Sequence, residues 1–177
     1  MKAVLISIQP KWCELIALGK KTVEVRKTRP KIEPPFKVYI YCTIGDGAKG
    51  DILPQSRVTC GKVIGEFVCD NVAKILNFLT HFGVEGRPER ELNTIARASC
   101  LDYMDMLGYF GTDKDGYAWH ISDLVIYDQP KKLSEFRRDC PDNVRSCAMC
   151  KHGDYTGMKC TPITRPPQSW CYVEGGE

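Results

Sequence analysis

Gly19-Lys20-Lys21-Thr22-Val23-Glu24-Val25-Arg26 is the stretch on which the reading of this chain turns. Before it, Pro10 suits the first turn of a helix, and Trp12, Leu15, Ile16 and Leu18 give that helix an apolar face. Gly19 is a natural C-terminal stop, because a helix commonly ends in a left-handed residue that only glycine adopts without strain. After it, Val23 and Val25 alternate with Glu24 and Arg26, the period of a half-buried strand. Alternation puts Val23 and Val25 on the core face and Thr22, Glu24 and Arg26 on the other. Lys21 lies in the turn, where periodicity fixes no direction. A carboxylate held beside lysine and arginine stays ionised and orients both cations. Such a cluster suits a base amino group at Glu24, and phosphate or a base oxygen at Arg26 or Lys21. The plain alternative is an exposed strand face with weak ion pairs.

Working outward, Val4 to Ile8 is an apolar, β-branched run and reads as a strand buried on at least one face. Pro30, Pro34 and Pro35 interrupt regular structure, and Phe36 to Tyr41 alternates as a further strand. Gly45 to Gln55 reads as a loop, and Lys62 to Cys69 as a strand that Gly65 bends or bulges. Pro88 to Leu107 carries a helical pattern, while Gly116 to Ser122 and Leu124 to Tyr127 read as closing strands. Strands outnumber helices and do not alternate with them. The fold class is therefore α+β: a small mixed β-barrel with peripheral helices rather than a doubly wound sheet. The expected organisation is a barrel domain over 1–136, with a helical insertion at about 71–110, and a Cys-rich extension over 137–177 that packs on it.

The 177 residues suffice for a buried core without disulfides. A net charge of +3 permits a nucleic-acid partner without arguing for one. Ala3 to Ile8 is too short for the apolar core of a secretory signal, and no apolar stretch reaches membrane length. The expected location is cytoplasmic, with no membrane partner. In that reducing setting the ten cysteines read as core residues, metal ligands or nucleophiles before disulfides. Cys13, Cys42, Cys60, Cys69 and Cys100 sit in apolar surroundings and read as core. Cys140, Cys147, Cys150 and Cys160 differ: a Cys-x-x-Cys knuckle with two further thiols, in a segment poor in apolar residues, suits structural zinc, which would supply folding energy. His152 or Cys171 is an alternative ligand. Free thiols and a redox pair at Cys147 and Cys150 are the other readings.

The opening run, with the strand and helix before it, resembles the G-x-K-x-x-E-x-R signature of the ASCH domain, a branch of the PUA-like superfamily. Ile64-Gly65-Glu66-Phe67, Ala118-Trp119-His120-Ile121 and Gln129 to Phe136 resemble later segments of that family, so the likeness covers roughly residues 2–136. Arg165 to Val173 resembles the end of a phage- and Firmicutes-type subgroup. The resemblance implies a cleft beside the first helix that holds RNA, a nucleotide or a modified nucleoside. On the matching positions Lys21, Glu24 and Arg26 make the polar contacts, Trp12 is a stacking wall and His120 lies nearby. The resemblance also implies an alternative, a hydrolase acting as nucleoside amidohydrolase or ribonuclease through Glu24 and Lys21; the Cys-rich tail offers another, a zinc-stapled module that docks a protein. The amidohydrolase group has a threonine nucleophile where this chain has Glu24, and a carboxylate does not replace an alcohol activated by lysine.

Overall fold

A computed structural model describes residues 2–44, 52–53, 58–76, 83–84, 89–138 and 162–175. The chain opens with β1 (Lys2–Ile8), α1 (Pro10–Ala17), β2 (Val23–Arg26) and β3 (Phe36–Cys42). Two short strands, β4 (Ile52–Leu53) and β5 (Val58–Thr59), lead to β6 (Lys62–Cys69), β7 (Val72–Leu76) and β8 (Gly83–Val84). Then come α2 (Glu89–Ser99), α3 (Tyr103–Phe110), β9 (Gly116–His120), β10 (Ser122–Lys131), a 3₁₀ turn at Leu133–Glu135 and β11 (Trp170–Glu174).

The strands form a five-stranded sheet in the order β10-β6-β3-β1-β11, a four-stranded sheet in the order β2-β9-β7-β8, and the β4–β5 pair. The class is thus α+β, mostly sheet, with three α-helices among the described residues. The expected small mixed β-barrel is not shown closed there: among the described residues the hydrogen-bond ladders stay in separate sheets. What joins them is the chain itself. β6 leads directly to β7 and β9 directly to β10, each pair stepping from one sheet to the other. Both steps occur within a few residues, and Asp123, at the second, takes a left-handed φ of 46°.

β1 lies between β3, to which it is parallel, and β11, to which it is antiparallel. Val4, Ile6 and Ile8 face a core shared with Phe36, Val38, Ile40, Phe67 and Trp119, while Ala3 and Leu5 face a second core with Tyr39, Val63, Phe136 and Val173. β1 is therefore buried on both faces, which its unbroken apolar run required. β11, which lies within 137–177, pairs with β1 and so adds a strand to the main sheet.

Gly65 marks a bulge, as its position suggested: Ile40 pairs with Gly65 and Tyr41 with Val63, leaving Ile64 as the extra residue. A Cβ on Gly65 would stand 2.3 Å from the carbonyl oxygen of Val125, so only glycine permits this approach of β10.

Three sequence expectations need correction. The insertion at about 71–110 is not wholly helical; it begins with β7 and β8, which pair antiparallel. Its helix is broken in two, because Cys100 takes a left-handed φ of 55° and Asp102 starts α3 with a capping box, its carboxylate accepting from Asp105 N and Asp105 returning the bond. On α1, the residues buried are Cys13 and Ile16, whereas Leu18 is exposed. The face is turned toward Cys13 because Cys42 and Cys60 complete a small thiol cluster beneath it. No helix of the described residues is long and apolar enough to cross a membrane.

Candidate functional site

The turn after α1 builds the site. Gly19, at φ 68°, lets its N–H reach Ile16 O and lets Lys20 N reach Leu15 O, the Schellman pattern that ends a helix and reverses the chain. The reversal drops Lys21 under the helix, where it is 2% exposed. Its Nζ donates to Ser99 O at 2.7 Å, one of the carbonyls at the C-terminus of α2, where a cation is favoured by the helix dipole. The same Nζ stands 3.3 Å from Glu24 Oε2.

β2 then carries Glu24 and Arg26 on one face, as alternation required, but that face is not exposed. Glu24 is 5% exposed, and Val23 and Val25 are buried behind it. Arg26 Nη2 lies 3.1 Å from Glu24 Oε1 and donates to Ser7 O at 2.6 Å. Lys21, Glu24 and Arg26 thus form a buried row with the carboxylate between two cations. The weak surface pair is excluded as a description of it. Two atoms of the row, Glu24 Oε2 and Arg26 Nε, are buried without a hydrogen-bond partner. At 3.3 Å the Lys21 ammonium compensates the charge on Glu24 Oε2 without the alignment of a hydrogen bond.

The row forms the floor of a cavity of about 690 Å³, within the size range of small-molecule sites. One wall is the end of β1 with Gln9, and Trp12 of α1; another is Leu101, Asp105 and Tyr109 beside and on α3; a third is Pro166 to Ser169, the stretch preceding β11. This third wall is tied to β1, since Ser7 N donates to Ser169 O at 2.9 Å and Ser7 Oγ to Pro167 O at 2.7 Å. Trp12 has the Nζ atoms of Lys11 and Lys21 at 4.4 and 5.1 Å from its ring centre. Tyr109, on the opposite side of the chain's order, has Lys27 Nζ at 5.1 Å.

Of the residues singled out in the sequence, Trp12, Lys21, Glu24 and Arg26 come together on this cavity. His120 does not line it. Its Nδ1 meets Asp70 Oδ1 at 2.6 Å on a half-exposed surface, and that hydrogen bond holds the Asp70 carboxyl below its usual range. Trp119, beside it, is fully buried between the sheets. Cys140, Cys147, Cys150 and Cys160 lie outside the described residues, as does His152. Cys171 is on β11 with its thiol pushed up by burial. No group of three or more metal-ligating side chains occurs among the described residues. Sequence reasoning missed Ser7, Asp105, Tyr109 and the 166–169 wall. Only Asp105 left a local signal, the Asp102-x-x-Asp105 cap.

A second polar cluster sits elsewhere on the main sheet. Glu66 on β6 accepts from Lys37 Nζ at 2.9 Å and from Tyr127 on β10. Burial alone would raise the Glu66 carboxyl, but the hydrogen bonds from Tyr127 and Lys37 outweigh it and hold the group below its ordinary value. Burial and Glu66 together push the Tyr127 hydroxyl well up. These groups satisfy one another.

No family model matches the chain, and no curated protein matches it. Solved structures do. The ASCH protein of Zymomonas mobilis superposes with a TM-score of 0.59 over 97% of this chain and 87% of its own, at 19% sequence identity. A serine-to-alanine variant of that protein gives 0.58 at 18% identity, covering 97% and 88%, and a tyrosine-to-phenylalanine variant gives 0.57 at 19%, covering 98% and 91%. The chain therefore has the ASCH fold.

Proposed function

We propose that this chain is an ASCH-family protein that binds a nucleobase, as a nucleoside, a nucleotide or part of an RNA, in the cavity floored by Lys21, Glu24 and Arg26. The observation that carries the reading is the buried row itself. Lys21 and Glu24 are 2% and 5% exposed, Arg26 continues the row, and all three line an open cavity of about 690 Å³. Such a concave, mixed polar and aromatic lining suits a small planar ligand with polar edges. Trp12 and Tyr109 line the same space and offer flat faces to a base, each worth about 1–3 kcal/mol when stacked.

Recognition is favoured over hydrolysis because the position three residues after Lys21 is the carboxylate Glu24 and not an alcohol. Thr22 is exposed and does not line the cavity, and Ser7 Oγ is held by Pro167 O. Neither is an alcohol nucleophile poised beside Lys21. Calorimetric titration with short RNAs and nucleosides tests the proposal: binding should be measurable in the unmodified protein and lost in Lys21→Ala and Glu24→Ala. Turnover of RNA or of an acylated nucleoside, abolished by Glu24→Gln with binding retained, would instead establish the hydrolase.

A further inference from the structure

The floor and the walls of the cavity differ in what they leave free. On the floor, Lys21 Nζ donates to Ser99 O and faces Glu24, while Arg26 Nη2 donates to Ser7 O and faces the same carboxylate. On the walls, Ser7 Oγ donates to Pro167 O, and Asp105 accepts from Asp102 N. Gln9 and Gln168 line the cavity too, and both are exposed. Gln9 holds the N-cap position of α1, yet its side chain makes no capping hydrogen bond. The residues favoured at that position, Ser, Thr, Asp and Asn, use a short side chain to hold the helix N–H groups, and Gln9 does not. The carboxamide of Gln168 likewise has no partner among the described residues. Its backbone is nevertheless fixed. Gln168 lies between Pro167 and Ser169, whose carbonyls accept from Ser7 Oγ and Ser7 N, and Gln9 follows Ser7 by two positions. Both free carboxamides therefore spring from backbone that is tied to the end of β1.

We infer, resting on the nucleobase reading above, that Gln9 and Gln168 are the residues that pair with the edge of the base. Trp12 and Tyr109 offer flat faces, and stacking is tolerant of base identity. Recognition of the edge then falls to polar groups that are accessible and uncommitted. A carboxamide sets an acceptor and a two-hydrogen donor side by side in one plane, and a base edge sets a donor beside an acceptor in the same way, so one glutamine bonds it twice. The hydroxyl of Thr43, which also lines the cavity, offers a single atom. A carboxamide can turn over, so it serves an amino group or a carbonyl. A carboxylate in its place only accepts.

That difference supplies the test. The unmodified protein, Gln9→Ala, Gln168→Ala, Gln9→Glu and Gln168→Glu are titrated calorimetrically with cytidine and uridine. Both side chains are exposed, so all four variants should keep the Tm of the unmodified protein. Each alanine variant should bind both nucleosides about tenfold more weakly, the effect of losing one good bidentate pair. Each glutamate variant should retain cytidine and lose uridine. Cytosine donates from its amino group on a side with no acceptor next to it, whereas the one ring donor of uracil lies between two carbonyls that repel a carboxylate. The ratio of the two affinities should therefore move at least about tenfold toward cytidine. A residue that only shapes the wall would leave that ratio unmoved. A ratio that stays put in one glutamate variant removes that glutamine from the assignment, and in both it overturns the assignment while base binding stands. If neither nucleoside binds the unmodified protein, the nucleobase reading fails and the assignment with it.

Discussion

Replacing Lys21 with methionine keeps the length of the side chain and removes its charge, and the structure sets the cost. The ammonium, 2% exposed, donates to Ser99 O at 2.7 Å and compensates Glu24 Oε2 at 3.3 Å. Losing one partner of a buried ion pair costs about 3–5 kcal/mol. Arg26 still holds Glu24 Oε1 at 3.1 Å, so the carboxylate is not left alone and the cost falls at the lower end, about 3 kcal/mol. For a chain of 177 residues that corresponds to a fall in Tm of about 6–12 °C. Urea denaturation of Lys21→Met, Glu24→Gln and the double variant closes a thermodynamic cycle. The coupling expected for a buried contact of this kind is on the order of 1–2 kcal/mol. An exposed pair gives at most about 1 kcal/mol and usually less. If Lys21→Met costs less than about 0.5 kcal/mol and the coupling is below the same value, the row is a solvated surface feature, and the base-binding proposal loses its floor.

Two glycines separate steric from conformational need. Gly65→Ala drives a Cβ to 2.3 Å from Val125 O and should cost about 3 kcal/mol or prevent folding, whereas Gly19→Ala meets nothing within 4 Å and should cost only the left-handed φ, about 1–2 kcal/mol; equal Tm losses would contradict the distinction. Glu66 is held below its ordinary value of 4.5, so its stabilisation is complete above that pH and is lost as pH falls through the folded value. The Tm gap between the unmodified protein and Glu66→Gln should therefore shrink in acid below about pH 4.5, and a gap independent of pH would refute the linkage. If Cys140, Cys147, Cys150 and Cys160 hold structural zinc, elemental analysis of purified protein should find about one zinc per chain, and much less would exclude it.

What the sequence made legible was local. Gly19 stops α1, Pro10 starts it, and Val23 and Val25 bury one face of β2, all within reach of a few neighbours in the chain. What it could not show was the covering of the other face. Glu24 and Arg26 looked outward by alternation, yet Ser99 from α2, Tyr109 from α3 and the 166–169 wall enclose them, and these lie 73 to more than 140 positions further along. Periodicity reports which face a residue shares, not whether a distant segment covers it. Barrel closure was not legible for a related reason. Strand count and length are readable, but whether ladders close depends on where β6–β7 and β9–β10 step between sheets, and the left-handed φ of 46° at Asp123, a conformation that aspartate favours more than most residues, is announced by nothing beyond that one residue. The split between α2 and α3 was readable in principle from Asp102 and Asp105, since a capping box inside a helical pattern marks a new start.

Ser7 shows why the site is preorganised although one of its walls is a connecting segment. Its carbonyl accepts from Arg26, its N–H donates to Ser169 O, and its hydroxyl donates to Pro167 O. The first bond fixes the arginine of the floor; the other two fix the third wall. Both are referred to β1, the strand buried on two faces at the centre of the two cores. The β1–β11 ladder runs from Lys2 opposite Glu174 to Ile6 opposite Trp170, and Ser7 to Ser169 continues it by one step. The 166–169 wall is therefore placed by sheet register, which cannot slip by one residue without turning Cys171 and Val173 to the wrong faces. Loops that line sites ordinarily pay an ordering cost on binding, and here that cost is met by folding of the sheet. A ligand thus meets the third wall and the Arg26 guanidinium already in place, held through Ser7, rather than having to order them.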